Sequence, residues 1–343
     1  MRPRFYIRLL VIGIFISFLC FVEQGYTLRI YDKRLEDLEL RVTGGSNVKR
    51  GEYPWQALIL IKKKNQATGT LTLCGGTLIS TKWVITAAHC VENYAKMRIY
   101  FGVWNVTNRV EVGRKLLSAK NVIPHPCYDG SREAAFSGSN LALIELNKPI
   151  FSRKSICLDY DWSRDWADLS LGRSLGGCIA TGYGVTATGK DAEILQKVAF
   201  STVSMKTCAS YGGMSRNSEI LCASDDKVTG RDTCKGDMGG PLACPTSRSG
   251  CNGYYLAAVT LAGSSKCGEE GKPGIYAALA PNLKWIRSVM SQRIRRNTQP
   301  KTQAYNCVKH ILKHNNSHLG SSSSIVTSVP EYLVLRDLNV NGI

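Results

Sequence analysis

Hydrophobic and polar positions divide the chain into stretches of different texture. Residues 9–22 are apolar throughout and follow a short basic head holding Arg2, Arg4 and Arg8. This pattern predicts a secretory leader over residues 1–22, since a stable bilayer span needs about 20 apolar residues. Residues 23–41 are mixed in charge and free of cysteine. From Val42 to about Ser291 short apolar or alternating runs recur, at 56–61, 77–86, 142–146, 179–182, 256–261 and 274–278. Gly, Asn and Pro clusters separate them, which predicts strands rather than helices, and no period of 20–50 residues indicates a repeat array. One helix is expected at the end of this region. Leu283, Trp285, Ile286, Val289 and Met290 share a helical face, with Pro281-Asn282 ahead as a start signal. Residues 292–343 open with Arg293-Ile294-Arg295-Arg296, include a Ser-rich stretch at 320–324 and an apolar run at 332–335, and are expected to be mostly flexible.

Composition narrows the class. The 343 residues are 44% hydrophobic and 20% charged, a globular balance with ample chain for a core. Thirteen cysteines without a run of metal-type spacing favour an oxidising compartment over a metal protein, so no metal or cofactor is expected. Loss of Cys20 with the leader leaves an even number. The mature protein is therefore expected to be secreted and extracellular, with no stable membrane anchor.

Four motifs then occur in order: Arg41 before Val42-Thr43-Gly44-Gly45; Thr86-Ala87-Ala88-His89-Cys90; Asn140-Leu141-Ala142-Leu143; and Gly236-Asp237-Met238-Gly239-Gly240-Pro241. Over residues 42 to about 291 the chain resembles the chymotrypsin/trypsin family of secreted serine proteases. The resemblance implies an all-β fold of two antiparallel six-stranded Greek-key barrels with a C-terminal helix. It also implies a division into a leader (1–22), a short propeptide (23–41), a protease-like domain (42–291) and a tail (292–343).

The family's chemistry uses a serine nucleophile, a histidine base and an aspartate that orients the histidine. Here the corresponding positions are Met238, His89 and Asn140. A thioether has no proton to lose and cannot be acylated. An amide carries no charge to stabilise an imidazolium, and that change alone costs about 10⁴ in rate in the worked example of this family. Neither Asp129 nor Glu145 is in register to replace the acid. The resemblance thus implies a serine protease homologue without catalysis. A working trypsin-like endopeptidase with unusual chemistry, and a secreted polyanion-binding module, are the alternatives.

Other parts of the pattern remain. Arg41-Val42 resembles an activation site, whose new amino group would pair with Asp237. Asp232 and Gly274 match the acid and the open glycine of the pocket that takes Arg or Lys, while its opposite wall, Thr260-Leu261-Ala262, lacks the usual tryptophan. The family's disulfides imply Cys74–Cys90, Cys178–Cys244, Cys208–Cys222 and Cys234–Cys267. Cys127, Cys157, Cys251 and Cys307 are left unassigned, with Cys307 as a substitute partner for Cys157 or intermolecular pairing as readings of the remainder. Asn105 and Asn315 begin glycosylation sequons.

Lys and Arg exceed Asp and Glu by 18, and residues 42–291 hold 30 bases against 19 acids. Lys62-Lys63-Lys64 and Arg293, Arg295 and Arg296 form dense basic patches, suited to polyanions or acidic protein faces. A leader and the lack of a nucleic-acid-binding motif argue against nucleic acid. The expected partner is an extracellular protein (a protease, zymogen or receptor) or a polyanion.

Overall fold

A computed structural model describes residues 45–291, apart from 65–66, 68–69, 159–173, 187–188, 205–206, 209–218, 226–231, 264–266 and 270–271, together with 337–339. The expected leader and propeptide, Arg41, Val42, Cys20, Cys307, Arg293, Arg295, Arg296 and Asn315 lie outside the described residues. Contacts divide the chain between Arg41 and Val42, and every element below belongs to the second unit, Val42–Ile343.

The chain is all-β, with two barrel-like antiparallel sheets and a short closing helix. Strands β1 (Ser46–Asn47), β2 (Gln56–Lys63), β3 (Thr70–Leu78) and β4 (Trp83–Thr86) come first. A single turn, α1 (Ala88–Val91), precedes β5 (Tyr94–Phe101), β6 (Lys115–Leu117) and β7 (Ala119–Pro124). Another turn, α2 (Arg132–Ala135), leads into β8 (Ala142–Leu146). The first sheet runs β6-β5-β2-β3-β4-β8-β7. Strand β2 lies between β3 and β5, and β8 between β4 and β7; Ala57–Ile61 of β2 is buried on both faces and reads as a continuous apolar run, and β8 is buried throughout, Glu145 included. The apolar stretch at 77–86 divides into the end of β3 and the whole of β4, because residues 79–82 make a turn closed by a Trp83 N–H bond to the Ser80 carbonyl.

The second sheet contains β9 (Cys178–Gly182), β10 (Gln196–Thr202), β11 (Ile220–Ser224), β12 (Pro241–Pro245), β13 (Tyr254–Ala262) and β14 (Gly274–Ala278). Its order is β1-β10-β11-β14-β13-β12-β9, and β9 also pairs with β10, so six strands close on themselves. Closure removes exposed edges that could pair with other chains. Helix α3 (Leu283–Ser291) follows a 3₁₀ turn at Ala280–Asn282 and buries Leu283, Trp285 and Ile286 as its periodicity predicts. The Trp285 ring meets His125 edge-on at 4.7 Å and ties the helix to the first barrel. Strand β15 (Asp337–Asn339) adds to β3.

Four disulfides pair as the family pattern implies: Cys74–Cys90, Cys178–Cys244, Cys208–Cys222 and Cys234–Cys267. The fifth joins Cys157 to Cys251, which excludes Cys307 as the partner of Cys157. The backbone prepares that bond, since Leu256 N–H donates to the Cys157 carbonyl and so holds the two segments together. Cys127 is also disulfide-bonded.

The barrels touch where glycines leave no room for a side chain. A Cβ on Gly75 would lie 2.7 Å from Gly240 Cα. One on Gly239, where φ is +81°, would lie 2.2 Å from Thr86 Oγ1 and 2.6 Å from the Gly75 carbonyl. Gly51 shares a positive φ, +77°, but faces open space. Gly51→Ala should therefore cost only its backbone strain, about 1 kcal/mol, and Gly239→Ala several times more. Equal losses of denaturation midpoint for the two variants would contradict the close-approach argument.

Candidate functional site

The first barrel supplies two of the three expected side chains and the second supplies the last. His89 sits in α1 immediately after β4, Asn140 immediately before β8, and Met238 in the turn before β12. All three are buried, with 5%, 0% and 3% exposure. The Met238 turn is fastened to the first barrel by a Gly75 N–H bond to the Met238 carbonyl, 2.7 Å. It is fastened to the second by Gly239 N–H to the Thr260 carbonyl and Thr260 N–H to the Gly240 carbonyl, 2.8 and 2.9 Å.

Asn140 is bonded on both sides of its amide. Oδ1 accepts the His89 backbone N–H at 3.0 Å. Nδ2 lies 2.7 Å from the Ala135 carbonyl and 2.8 Å from His89 Nδ1. Flipping the amide would set its oxygen against the Ala135 carbonyl and its NH₂ against the His89 N–H, so the network fixes the orientation. Nδ2 therefore donates to Nδ1, Nδ1 must be the bare nitrogen, and the ring proton resides on Nε2. A second contact agrees. Nε2 lies 3.8 Å from Cys90 Sγ, which is locked in a disulfide and has no hydrogen to give, so the ring nitrogen is the donor. The imidazole is kept neutral. Burial is the main cause, with the nearby Lys63 charge adding to it, and together they push its pKa from 6.5 down to about 4. A ring of this tautomer has no lone pair on Nε2 with which to take a proton.

Asp129 and Glu145 are engaged elsewhere. Asp129 caps the Ser131 N–H, and Glu145 accepts from Lys120 and Asn121.

Asp237 is buried beside the same turn. Its Oδ1 accepts Gly184 N–H at 2.8 Å and its Oδ2 accepts Cys234 N–H at 2.9 Å. A Cβ on Gly182 would meet Oδ1 at 2.0 Å, and one on Gly184 would meet the carboxyl at 2.6 Å, so both glycines shape its niche. Burial pushes the carboxyl up to about 6, against the two backbone bonds, and Asp191 pushes the same way.

Asp232 is buried, and Gly268 N–H approaches its Oδ2 at 3.5 Å. Gly274 does border it, since a Cβ there would lie 3.0 Å from Oδ1. Thr260 and Ala262 are buried on β13. Sequence reasoning missed Gly263, whose Cβ would lie 3.0 Å from Asp232 Oδ2, and Tyr276, whose hydroxyl is 3.3 Å from Thr233 Oγ1. It also missed the Ala135 carbonyl, which no side-chain motif can reveal.

The basic triplet is not one uniform patch. Lys62 and Lys63 lie at the end of β2, and their ammonium groups donate to the Ala67 and His89 carbonyls. Lys64 lines a cleft of about 390 Å³ together with Glu92, Tyr94, Tyr128 and Asp129. The Asn105 amide oxygen accepts from the Thr107 N–H and hydroxyl, at 2.8 and 2.6 Å.

A family model described as Trypsin matches residues 42–286. Among curated proteins, the chain is 32% identical over 267 residues to CLIP domain-containing serine protease B4 of Anopheles gambiae, covering 72% of this chain and 69% of that protein. It is 30% identical over 269 residues to Phenoloxidase-activating factor 3 of Holotrichia diomphalia, covering 73% and 72%. Melanization protease 1 of Drosophila melanogaster is also 30% identical, over 270 residues, covering 72% and 65%.

The tautomer is open to direct measurement. Nitrogen-15 NMR of the protein should find the His89 proton on Nε2 at pH 7. Asn140→Asp should move it to Nδ1 and raise the ring pKa, because a carboxylate accepts where the amide donates. A proton already on Nδ1 in the unaltered protein would refute the amide assignment.

Proposed function

Because this chain belongs to the trypsin family, we propose that it is a secreted, non-catalytic serine protease homologue that acts by binding protein in an extracellular protease cascade. The single observation that carries the reading is the Asn140 amide donating into His89 Nδ1, beside a turn that offers a thioether in place of a hydroxyl. The base is in the wrong tautomer and the nucleophile has no labile proton. Relatives named as proteases and as an activating factor support a place beside proteolytic activation. No helix of the described residues is long and apolar enough to cross a membrane, and the basic, apolar N-terminal pattern favours export.

An active-site-directed serine phosphonate should leave the protein unlabelled, and peptide substrates with Arg or Lys should not be cleaved. Restoring both groups in Met238→Ser/Asn140→Asp should give activity at least about 10³ above Met238→Ser alone, because the tautomer is corrected only in the double variant. His89-dependent labelling of the unaltered protein would overturn the non-catalytic reading.

A conformational switch at Arg41 belongs to the same proposal. Cutting there frees the Val42 amino group, and Asp237 is a buried carboxylate suited to receive it. The carboxyl ordinarily titrates at 3.8 and here at about 6. Its protonated form is thus favoured by the uncut fold, so its contribution to stability is full below 3.8 and is lost as pH rises through 6. The loss approaches about 3 kcal/mol. An ammonium beside it reverses that slope. The melting temperature of the cut form should therefore gain on that of the uncut form as pH rises from 4 to 7. A pH-independent difference would sink the switch.

A further inference from the structure

The loop between β5 and β6 turns one charged side chain inward and two apolar ones outward. Glu111 is buried. Its Oε2 accepts the Trp104 and Asn105 N–H groups at 2.7 and 3.2 Å, and its Oε1 lies 3.2 Å from Arg50 Nη2. Its neighbours Val110 and Val112 are 89% and 87% exposed. The loop is not slack. Arg114 donates to the Asn108 carbonyl at 2.9 Å and its guanidinium covers the Tyr100 ring at 4.7 Å. Arg153, on the loop after β8, donates to the Gly113 carbonyl and joins the two loops.

That second loop carries Phe151, 80% exposed, and Leu116 in the middle of β6 is 55% exposed. Among the described residues, these four are the large apolar side chains left open to water, and all belong to the first barrel. Folding gains nothing from their exposure; the Arg153 bond to Gly113 draws together the two loops that carry Val110, Val112 and Phe151, and open apolar surface of this kind marks a place for association. The rim is basic. Residues 107–119 hold Arg109, Arg114 and Lys115 against a single acid, the buried Glu111. Residues 147–155 hold Lys148, Arg153 and Lys154 and no acid.

We propose that this face docks an acidic segment of a protein partner whose carboxylates flank apolar or aromatic anchors. The charge around the patch selects the sign of the partner, and the apolar centre selects its kind. A sulfated polyanion would satisfy the rim but leave Val110, Val112 and Phe151 in water. A second copy of this chain, meeting it face to face, would bring the same basic rim against itself. The loop is held by Glu111 before any partner arrives, so little ordering entropy opposes docking. The inference rests on the reading that the chain works by binding protein, and phosphonate labelling tests that reading separately.

The test uses the full chain and two fluorescent 12-residue peptides of equal charge. One alternates Glu and Asp with Phe and Leu; the other has Ser in place of Phe and Leu. Anisotropy should show the aromatic peptide binding about tenfold more tightly than the Ser peptide, and less tightly as salt is raised. Val110→Ser/Val112→Ser should weaken it by about tenfold with an unchanged melting temperature. Phe151→Ser, on the other loop, gives a second reading should the first variant lose stability. Equal binding of the two peptides would reduce the face to a plain polyanion site and overturn the proposal. So would unaltered affinity in both variants, or a dimer in sedimentation that Val110→Ser/Val112→Ser abolishes.

Discussion

Backbone meets backbone where the two barrels touch, and the rest of the site is hung on that contact. Gly75 in β3 approaches Gly240 so closely that even a methyl group is excluded, and Gly239 is packed against Thr86 and the Gly75 carbonyl. The Gly75 N–H bond to the Met238 carbonyl then fixes the turn from one side, and the Thr260 bonds fix it from the other. Because β4 ends at Thr86, the same contact holds the start of α1 and therefore His89. The chain keeps this framework although residue 238 is a methionine. Its glycines serve the joining of two sheets, and that need survives whatever stands at the position between them.

The neutral triad is also a comfortable one for the fold. Asn140 satisfies three hydrogen bonds while carrying no charge, so no buried anion has to be compensated beside His89. The neutral ring matches a site that excludes water. Asp237, by contrast, is a buried carboxyl, and both of its bonds given among the described residues come from backbone N–H groups. Ionisable groups at the centre have thus been divided: the histidine is held neutral by burial, and the carboxylate is left responsive to what is brought beside it.

Strands β2 and β13 were legible in the sequence because long apolar stretches in them are buried throughout, Ala57–Ile61 in the first and Leu256–Val259 in the second. Strand β5 was not, since its residues Tyr94–Arg98 face water more than core and show no clean alternation. The turn that splits 77–86 was hidden because Ile79 and Trp83 at its ends are themselves apolar and buried. At the site, the resemblance of the motifs to those of the trypsin family pointed to His89, Asn140 and Met238, but the direction of the Asn140 amide was not legible. That direction depends on the Ala135 carbonyl, a backbone group from a turn five residues earlier that every residue type would offer. The Cys157–Cys251 bond likewise depends on where β13 brings Tyr254 and Leu256, a long-range arrangement without a local signature.

The inward turn of Glu111 separates two tasks along three consecutive residues. The carboxylate, with Arg114 and Arg153, ties the loop to the fold, while Val110 and Val112 stand open to water. Substitutions at those two outer positions are thermodynamically nearly silent for the fold. Selection can therefore exchange one partner for another there without first accumulating reserve stability, so gene duplicates of such a chain are free to diverge in what they recognise while remaining identical in how they fold.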